Sequence, residues 1–343
     1  VTAMLAVRLN ARTLDDPQHA RRHALLRLLA RLELVPERSL HALLAPSLSR
    51  RHYRRILAQL HQERLIWRHP VDASRVPGAL GAANGAPPPR RPLLYGLTDA
   101  GRAWLAATGA EPDPAVLARA VVRPWQQPEL KLAQLAHDLL VVAWCSGALI
   151  GLQRIPTLQA VEVVMEYVTA TSATGQPLQR VDALVRLQLA PPAGPPPRPA
   201  GDPPALPWGW AAPGAPGLLA WALEIDRGTE PLRTLLGKAV MYRDLTVSGH
   251  YAATLGCPLL PVVITPTVRR AAQIAREWVA AWPGGRGIVA PFDRLAEPLG
   301  GILWGRYKTL GCNPARDATL WEDLGRAPPP GPPRAADRGT PWT

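Results

Sequence analysis

The chain has 343 residues and a mass of 37.0 kDa, room for two domains or one large one. Its 47% hydrophobic content allows a sizeable core, while 39 Lys and Arg against 26 Asp and Glu leave +13, a balance that favours a polyanionic partner, nucleic acid before acidic membrane. The three cysteines, Cys145, Cys257 and Cys312, lie far apart, which excludes a disulfide framework and a CxxC-type zinc site and suits a reducing compartment.

Residues 1–20 sum to zero charge and read as an N-terminal extension; Val1 to Arg12 lacks the apolar stretch of a secretory signal. The charge is concentrated next: residues 21–106 hold 15 Arg against 5 acidic residues. Within that segment Leu25, Leu28, Leu29 and Leu32 follow the helical i, i+3, i+4, i+7 rule. A short second helix carries Leu40, Leu43 and Leu44. Ser49 is an N-cap for a third, with Tyr53, Ile56, Leu57 and Leu60 inward and Arg50, Arg51, Arg54 and Arg55 mainly on the other face. Leu65-Ile66-Trp67 reads as a strand and Leu93 to Leu97 as its return, joined by a Gly/Pro/Ala-rich tip carrying Arg90 and Arg91. Thr98-Asp99 opens a closing helix. Three helices, a strand pair with a long tip and a closing helix predict a winged helix-turn-helix over residues 21–108. Its third helix suits a major groove, and the tip arginines suit the adjacent backbone. The competing reading of the same arginines is a solvated helix face.

Residues 109–128 read as a linker and 129–324 as an α/β domain. Its first helix, about Leu130 to Ala148, is apolar, but His137 and Asp138 interrupt the only stretch long enough to span a bilayer, so the sequence predicts a soluble, cytoplasmic chain with no membrane part. Strands are expected at Leu158–Tyr167, Val181–Leu189, Leu218–Ile225 and Leu259–Ile264, with helices at Leu232–Leu245 and Thr267–Ala281. This order is that of an α/β unit with a mixed central sheet. Residues 190–217, dense in Pro, Gly and Ala, read as a mobile insertion, and 325–343 as a disordered tail.

Asp182 lies in one of these strands, and Glu224 and Asp226 end another. Residues two apart in a strand share a face, so Glu224 and Asp226 project together, and Asp182 joins them if the strands pair. Clustered carboxylates call for a cation, and Mg²⁺ takes such oxygen ligands together with substrate phosphate. Lys238, one of only three lysines in the chain, lies twelve residues after Asp226, where it points a positive charge back to the same place. The competing reading is an ordinary strand end. In it Asp226 caps the turn or pairs with Arg227, Arg233 or Arg243, and Asp182 pairs with Arg180 or Arg186. No nucleophile elbow, GxGxxG after a strand or phosphate-binding GxxxxGK[ST] is present.

Leu25-Leu26-Arg27-Leu28-Leu29-Ala30-Arg31-Leu32 with the basic third helix, Leu97-Thr98-Asp99-Ala100-Gly101-Arg102, His137-Asp138-Leu139-Leu140-Val141, Val181-Asp182-Ala183-Leu184 and above all Leu223-Glu224-Ile225-Asp226-Arg227-Gly228-Thr229-Glu230-Pro231, running on to Lys238, Tyr242 and Pro261 to Thr267, resemble the replication-relaxation proteins of plasmids and integrative elements. The resemblance covers roughly residues 22–282. It implies an N-terminal winged helix, double-stranded DNA as partner, and work in plasmid replication or relaxation beside replication or relaxase proteins. The second half also resembles a PD-(D/E)XK nuclease fold, with Asp182 and Glu224 matching the two metal-binding acids. It departs from that pattern in having Asp226 where the lysine belongs and Val181 in place of proline; Lys238 is the displaced substitute. A degenerate nuclease fold kept for binding, a winged-helix transcriptional regulator and an active Mg²⁺-dependent endonuclease or nickase are the functional expectations that follow.

Overall fold

The computed structural model describes residues 17–44, 49–71, 92–109, 111, 113–118, 132–153, 155, 157–190, 217–285, 287–292, 307–309 and 317–318. Most of the N-terminal extension, most of the 190–217 insertion, the 325–343 tail, Cys312 and the tip arginines Arg90 and Arg91 lie outside the described residues. The chain divides into two compact units, with the principal break between Ser146 and Gly147. The architecture is α+β, with an antiparallel sheet and helices in the first unit and a mixed sheet in the second.

The first unit opens with α1 (Pro17–Leu32), whose Leu25, Leu26, Leu28, Leu29 and Leu32 are all buried. β1 (Leu34–Pro36), α2 (Glu37–Leu44) and α3 (Arg50–Gln62) follow. β2 (Ile66–Pro70) and β3 (Leu93–Leu97) pair antiparallel, with Trp67 opposite Gly96, and β1 lies along the other side of β3. α4 (Asp99–Thr108) and α5 (Pro114–Ala118) close the unit. The inward stripe of α3 is the expected one: Tyr53, Ile56, Leu57 and Leu60 are buried. Ser49 is its N-cap, accepting the His52 N–H and so satisfying one of the amides that a helix start leaves open. β1 carries no sequence signal of its own. Three residues between two helices show no alternation, and only pairing with β3 makes them a strand.

Glu111 organises the far side of this unit. It is buried, and it accepts from Arg31 Nε (3.0 Å) and Nη2 (2.9 Å), with Arg27 Nε 3.6 Å away. Arg102 donates to the carbonyls of Val116 and Leu117, tying α4 to α5. Several of the arginines that make this segment so basic are therefore internal structural groups.

α6 (Leu132–Leu152) spans the division between the units. It is the one described helix long and apolar enough to cross a membrane, and 72% of its apolar window is buried within the protein. The second unit is built on a seven-stranded sheet in the order β10-β9-β8-β7-β6-β5-β4. β4 (Leu158–Thr171), β5 (Pro177–Leu189) and β6 (Leu218–Ile225) run antiparallel; β6, β7 (Leu259–Thr265) and β8 (Ile288–Pro291) run parallel. β9 (Tyr307–Thr309) and β10 (Asp317–Ala318) add a short antiparallel edge. The parallel step from β6 to β7 requires a crossover, supplied by α7 (Leu232–Val247) and α8 (His250–Leu255). α9 (Val268–Ala281) crosses from β7 to β8 and packs against α7. Ala220 and Ala222 of β6 and Val263 of β7 meet Leu235, Ala239 and Tyr242 of α7, Tyr251 of α8, and Ile274 and Trp278 of α9 in one core. All seven residues of β7 are buried, as expected of a central parallel strand covered on both faces.

Candidate functional site

The register of β5 and β6 decides which acidic residues meet. Ala183 lies opposite Leu223, so the next step sets Asp182 across from Glu224 on the face covered by α7. Asp182 Oδ2 accepts the Ile225 N–H at 2.6 Å, which fixes the carboxylate at the sheet end. Glu224 is buried. Lys238 and Tyr242, four apart on α7 and hence on one helix face, both reach it: Lys238 Nζ donates to Oε2 at 2.9 Å and Tyr242 OH to Oε1 at 2.8 Å. Glu230 Oε2 stands 3.6 Å from the same ammonium. Asp182, Glu224 and Lys238 are thus brought together, with Tyr242 and Glu230 completing the group.

Electrostatics follow burial. Desolvation pushes the Glu224 carboxyl up to about 7, helped by the nearby Asp182 charge and opposed by Lys238 and the Tyr242 hydroxyl. Burial acts to lower Lys238, but Glu224, Glu230 and Asp182 outweigh it and hold the ammonium above its ordinary value. The buried Tyr242 hydroxyl is raised well above the usual tyrosine range by desolvation and by the same carboxylates.

Asp226 is not part of this cluster. β6 ends at Ile225, so strand alternation no longer governs it. The fully buried Asp226 Oδ1 accepts the Gly228 N–H (2.8 Å) and Oδ2 pairs with Arg270 Nε of α9 (2.7 Å). Arg270 Nη2 also donates to the Glu230 carbonyl (2.7 Å). Gly228 sits at φ 77°, and a Cβ there would lie 2.9 Å from the Pro266 ring. Asp226 and Arg270 therefore clamp the Asp226–Pro231 turn, and that turn presents Glu230 to Lys238. Of the neighbours weighed as partners from sequence, Arg186 faces Glu162 at 3.6 Å, Arg180 stands 3.8 Å from Glu166, and Arg243 pairs with Asp244.

Asp182 and Glu224 offer the hard oxygens that Mg²⁺ prefers, but both Glu224 oxygens already hold donors. Among the described residues no three His, Cys, Asp or Glu side chains converge as metal ligands. The Lys238 ammonium supplies positive charge beside these two acids.

The other candidate residues lie on α3. Arg50, Arg51, Arg54 and Arg55 are all exposed, opposite the buried stripe. Arg54 Nε pairs with Glu37 Oε1 at 2.6 Å. Arg50, Arg51 and Arg55 make no ion pair among the described residues, and Arg64 and Arg68, beyond the helix, are also exposed. By contrast Arg22 pairs with Glu63, and Arg27 and Arg31 with Glu111. Sequence reasoning missed Glu37, Glu230 and Arg270. Tyr242, at i+4 from Lys238 on a helix legible from its period, was within reach of it.

No curated protein and no solved structure matches the chain. A family profile described as replication-relaxation matches residues 26–258, from within α1 to the residue before β7, and so takes in both the basic helix and the acidic cluster. The chain belongs to the replication-relaxation family.

Proposed function

We propose that this protein binds duplex DNA of a plasmid or other mobile element and acts in its replication, with the first unit serving as a winged helix-turn-helix and α3 as its recognition helix. The observation that carries this reading is the open arginine face. Arg50, Arg51 and Arg55 stand on a helix whose opposite side is locked into a core, with no carboxylate of the described residues neutralising them. Guanidinium groups so placed release counterions when they meet phosphates. The α2–α3 pair and the β2–β3 ribbon support the winged-helix reading. A titration of a random-sequence duplex with the full chain tests it: Arg51→Ala with Arg55→Ala weakens binding several-fold at 0.1 M salt, and unchanged affinity would remove α3 from the interface.

The second unit works on what the first one holds. Its helix–three strands–two helices–strand order and its Asp182, Glu224 and Lys238 support a PD-(D/E)XK-like scaffold. In the present reading that scaffold does not cleave, because Lys238 and Tyr242 occupy both Glu224 oxygens. The expected result is that supercoiled plasmid stays intact with the protein and Mg²⁺. One observation favours a second reading, a nickase: an amine 2.9 Å from an acid that faces a second acid is also the equipment of phosphodiester hydrolysis. Nicked product that disappears in both Asp182→Ala and Glu224→Ala would decide for it.

A further inference from the structure

The four arginines of α3 are not equivalent. Arg51 and Arg55, near the centre of the outward face, and Arg50 beside them, carry unshared charge. Arg54 has a partner. Glu37, the first residue of α2, accepts from Arg54 Nε at 2.6 Å, and the pairing raises the guanidinium above its ordinary value. The Arg54 side chain is still 63% exposed, against 17% for Glu37, and no other hydrogen bond or ion pair among the described residues engages it. Its two terminal nitrogens are therefore open, while Nε and the plane of the fork are held.

Such a pair has two physical consequences. A guanidinium beside a carboxylate has no net charge to offer a phosphate; the carboxylate repels phosphate and no counterion is released. The same fixed fork keeps its donor geometry and loses little side-chain freedom on binding. Two parallel N–H donors without net charge suit a neutral edge that presents two acceptors, and in a major groove that edge is O6 and N7 of guanine. Resting on the recognition-helix reading above, we propose that Arg54 is the guanine-reading residue of this protein and that Glu37 is the positioning residue that aims it. Arg50, Arg51 and Arg55 supply phosphate contacts.

The test starts with the full chain and a randomised 30-bp duplex library. The selected site is then compared with copies in which each guanine in turn is replaced. The wild type selects a site in which one guanine matters roughly five- to a hundredfold. Arg54→Lys keeps the charge but not the fork; it binds random duplex as well as the wild type and loses that one preference. Glu37→Gln frees the charge of Arg54: random-duplex affinity rises, the slope of log affinity against log salt steepens by about one, and preference at the same guanine falls. A Glu37 that merely supports the fold would lower both affinities together, so the rise separates the two roles; thermal melting confirms that each variant is folded. Preference surviving Arg54→Lys would overturn the proposal, as would a wild type that binds duplex with no guanine preference, with the winged-helix reading left standing. A wild type that binds no duplex at all would overturn both.

Discussion

At the scale of single residues, the chemistry of the second unit turns on one buried carboxylate. Glu224 is taken out of water, and its charge is tolerated because an ammonium and a phenol are bonded to its two oxygens. Removing one partner of such a pair leaves an uncompensated buried charge. Lys238→Met is expected to cost about 3 kcal/mol at pH 8, at the low end of such losses because the lysine is partly exposed to solvent. The pH dependence has a definite sign. The folded-state value of Glu224 is raised from 4.5 to about 7, so its contribution to stability is fully present below pH 4.5 and is lost as pH rises through 7. Without Lys238 the carboxyl is raised further, so the variant loses stability more steeply. Urea denaturation at pH 5 and pH 8 reads this directly: the gap between wild type and Lys238→Met widens at pH 8, and an equal gap at both would mean that Glu224 does not carry the effect. The clamp beneath it is a second residue-scale test. Arg270→Leu strands the fully buried Asp226 and is expected to cost about 3 kcal/mol or more, part of which Asp226→Asn in the same chain recovers; a chevron or melting series on the three variants measures it. Glu224 and Lys238 were legible in the sequence, one at the polar end of an apolar strand and the other on a helix of clear period. The partner of Asp226 was not, because Arg270 is 44 residues away and only the packing of α9 on β7 and β8 brings it there.

At the scale of elements, legibility followed periodicity and capping. α3 announces itself through its 3–4 spacing and Ser49, and α4 through Thr98. Thr98 does more than cap. Its Oγ1 accepts the Gly101 N–H at 3.0 Å and donates to the Arg64 carbonyl at 2.6 Å, so that one hydroxyl joins the start of α4 to the turn after α3. Gly101 is required in the same place, because a Cβ there would lie 2.2 Å from the Leu65 carbonyl oxygen. Thr98→Ala is expected to lower stability by about 1–2 kcal/mol, and Thr98→Ser to restore most of it, since serine keeps the hydroxyl. Gly101→Ala should cost more than Thr98→Ala, because backbone must move to admit the methyl; the order of melting temperatures checks both. Short elements were illegible for the opposite reason. β1 and α8 have three and six residues, too few to display a period, and they exist because a neighbouring strand or helix gives them partners.

At the scale of the whole molecule, the excess of positive charge in residues 21–106 was visible in the sequence, but its division was not. A count treats every arginine alike. Folding withdraws Arg22, Arg27, Arg31 and Arg54 into pairs with Glu63, Glu111 and Glu37, and spends Arg102 on backbone carbonyls. Which arginines remain open depends on where those three glutamates come to rest, and contacts such as Arg31 with Glu111, 80 residues apart, follow from packing alone. On the proposed DNA-binding reading, the salt dependence of affinity separates the two populations. Each open arginine that meets a phosphate contributes about 0.9 to the slope of log affinity against log salt, so Arg51→Ala with Arg55→Ala should flatten that slope by about two. Arg22→Gln should leave it nearly unchanged, since the charge removed was already matched by Glu63. Filter-binding titrations of random duplex between 0.05 and 0.3 M salt measure both. Equal flattening in the two variants would mean that affinity follows total charge and that the folded arrangement of these glutamates has no bearing on which arginines face the DNA.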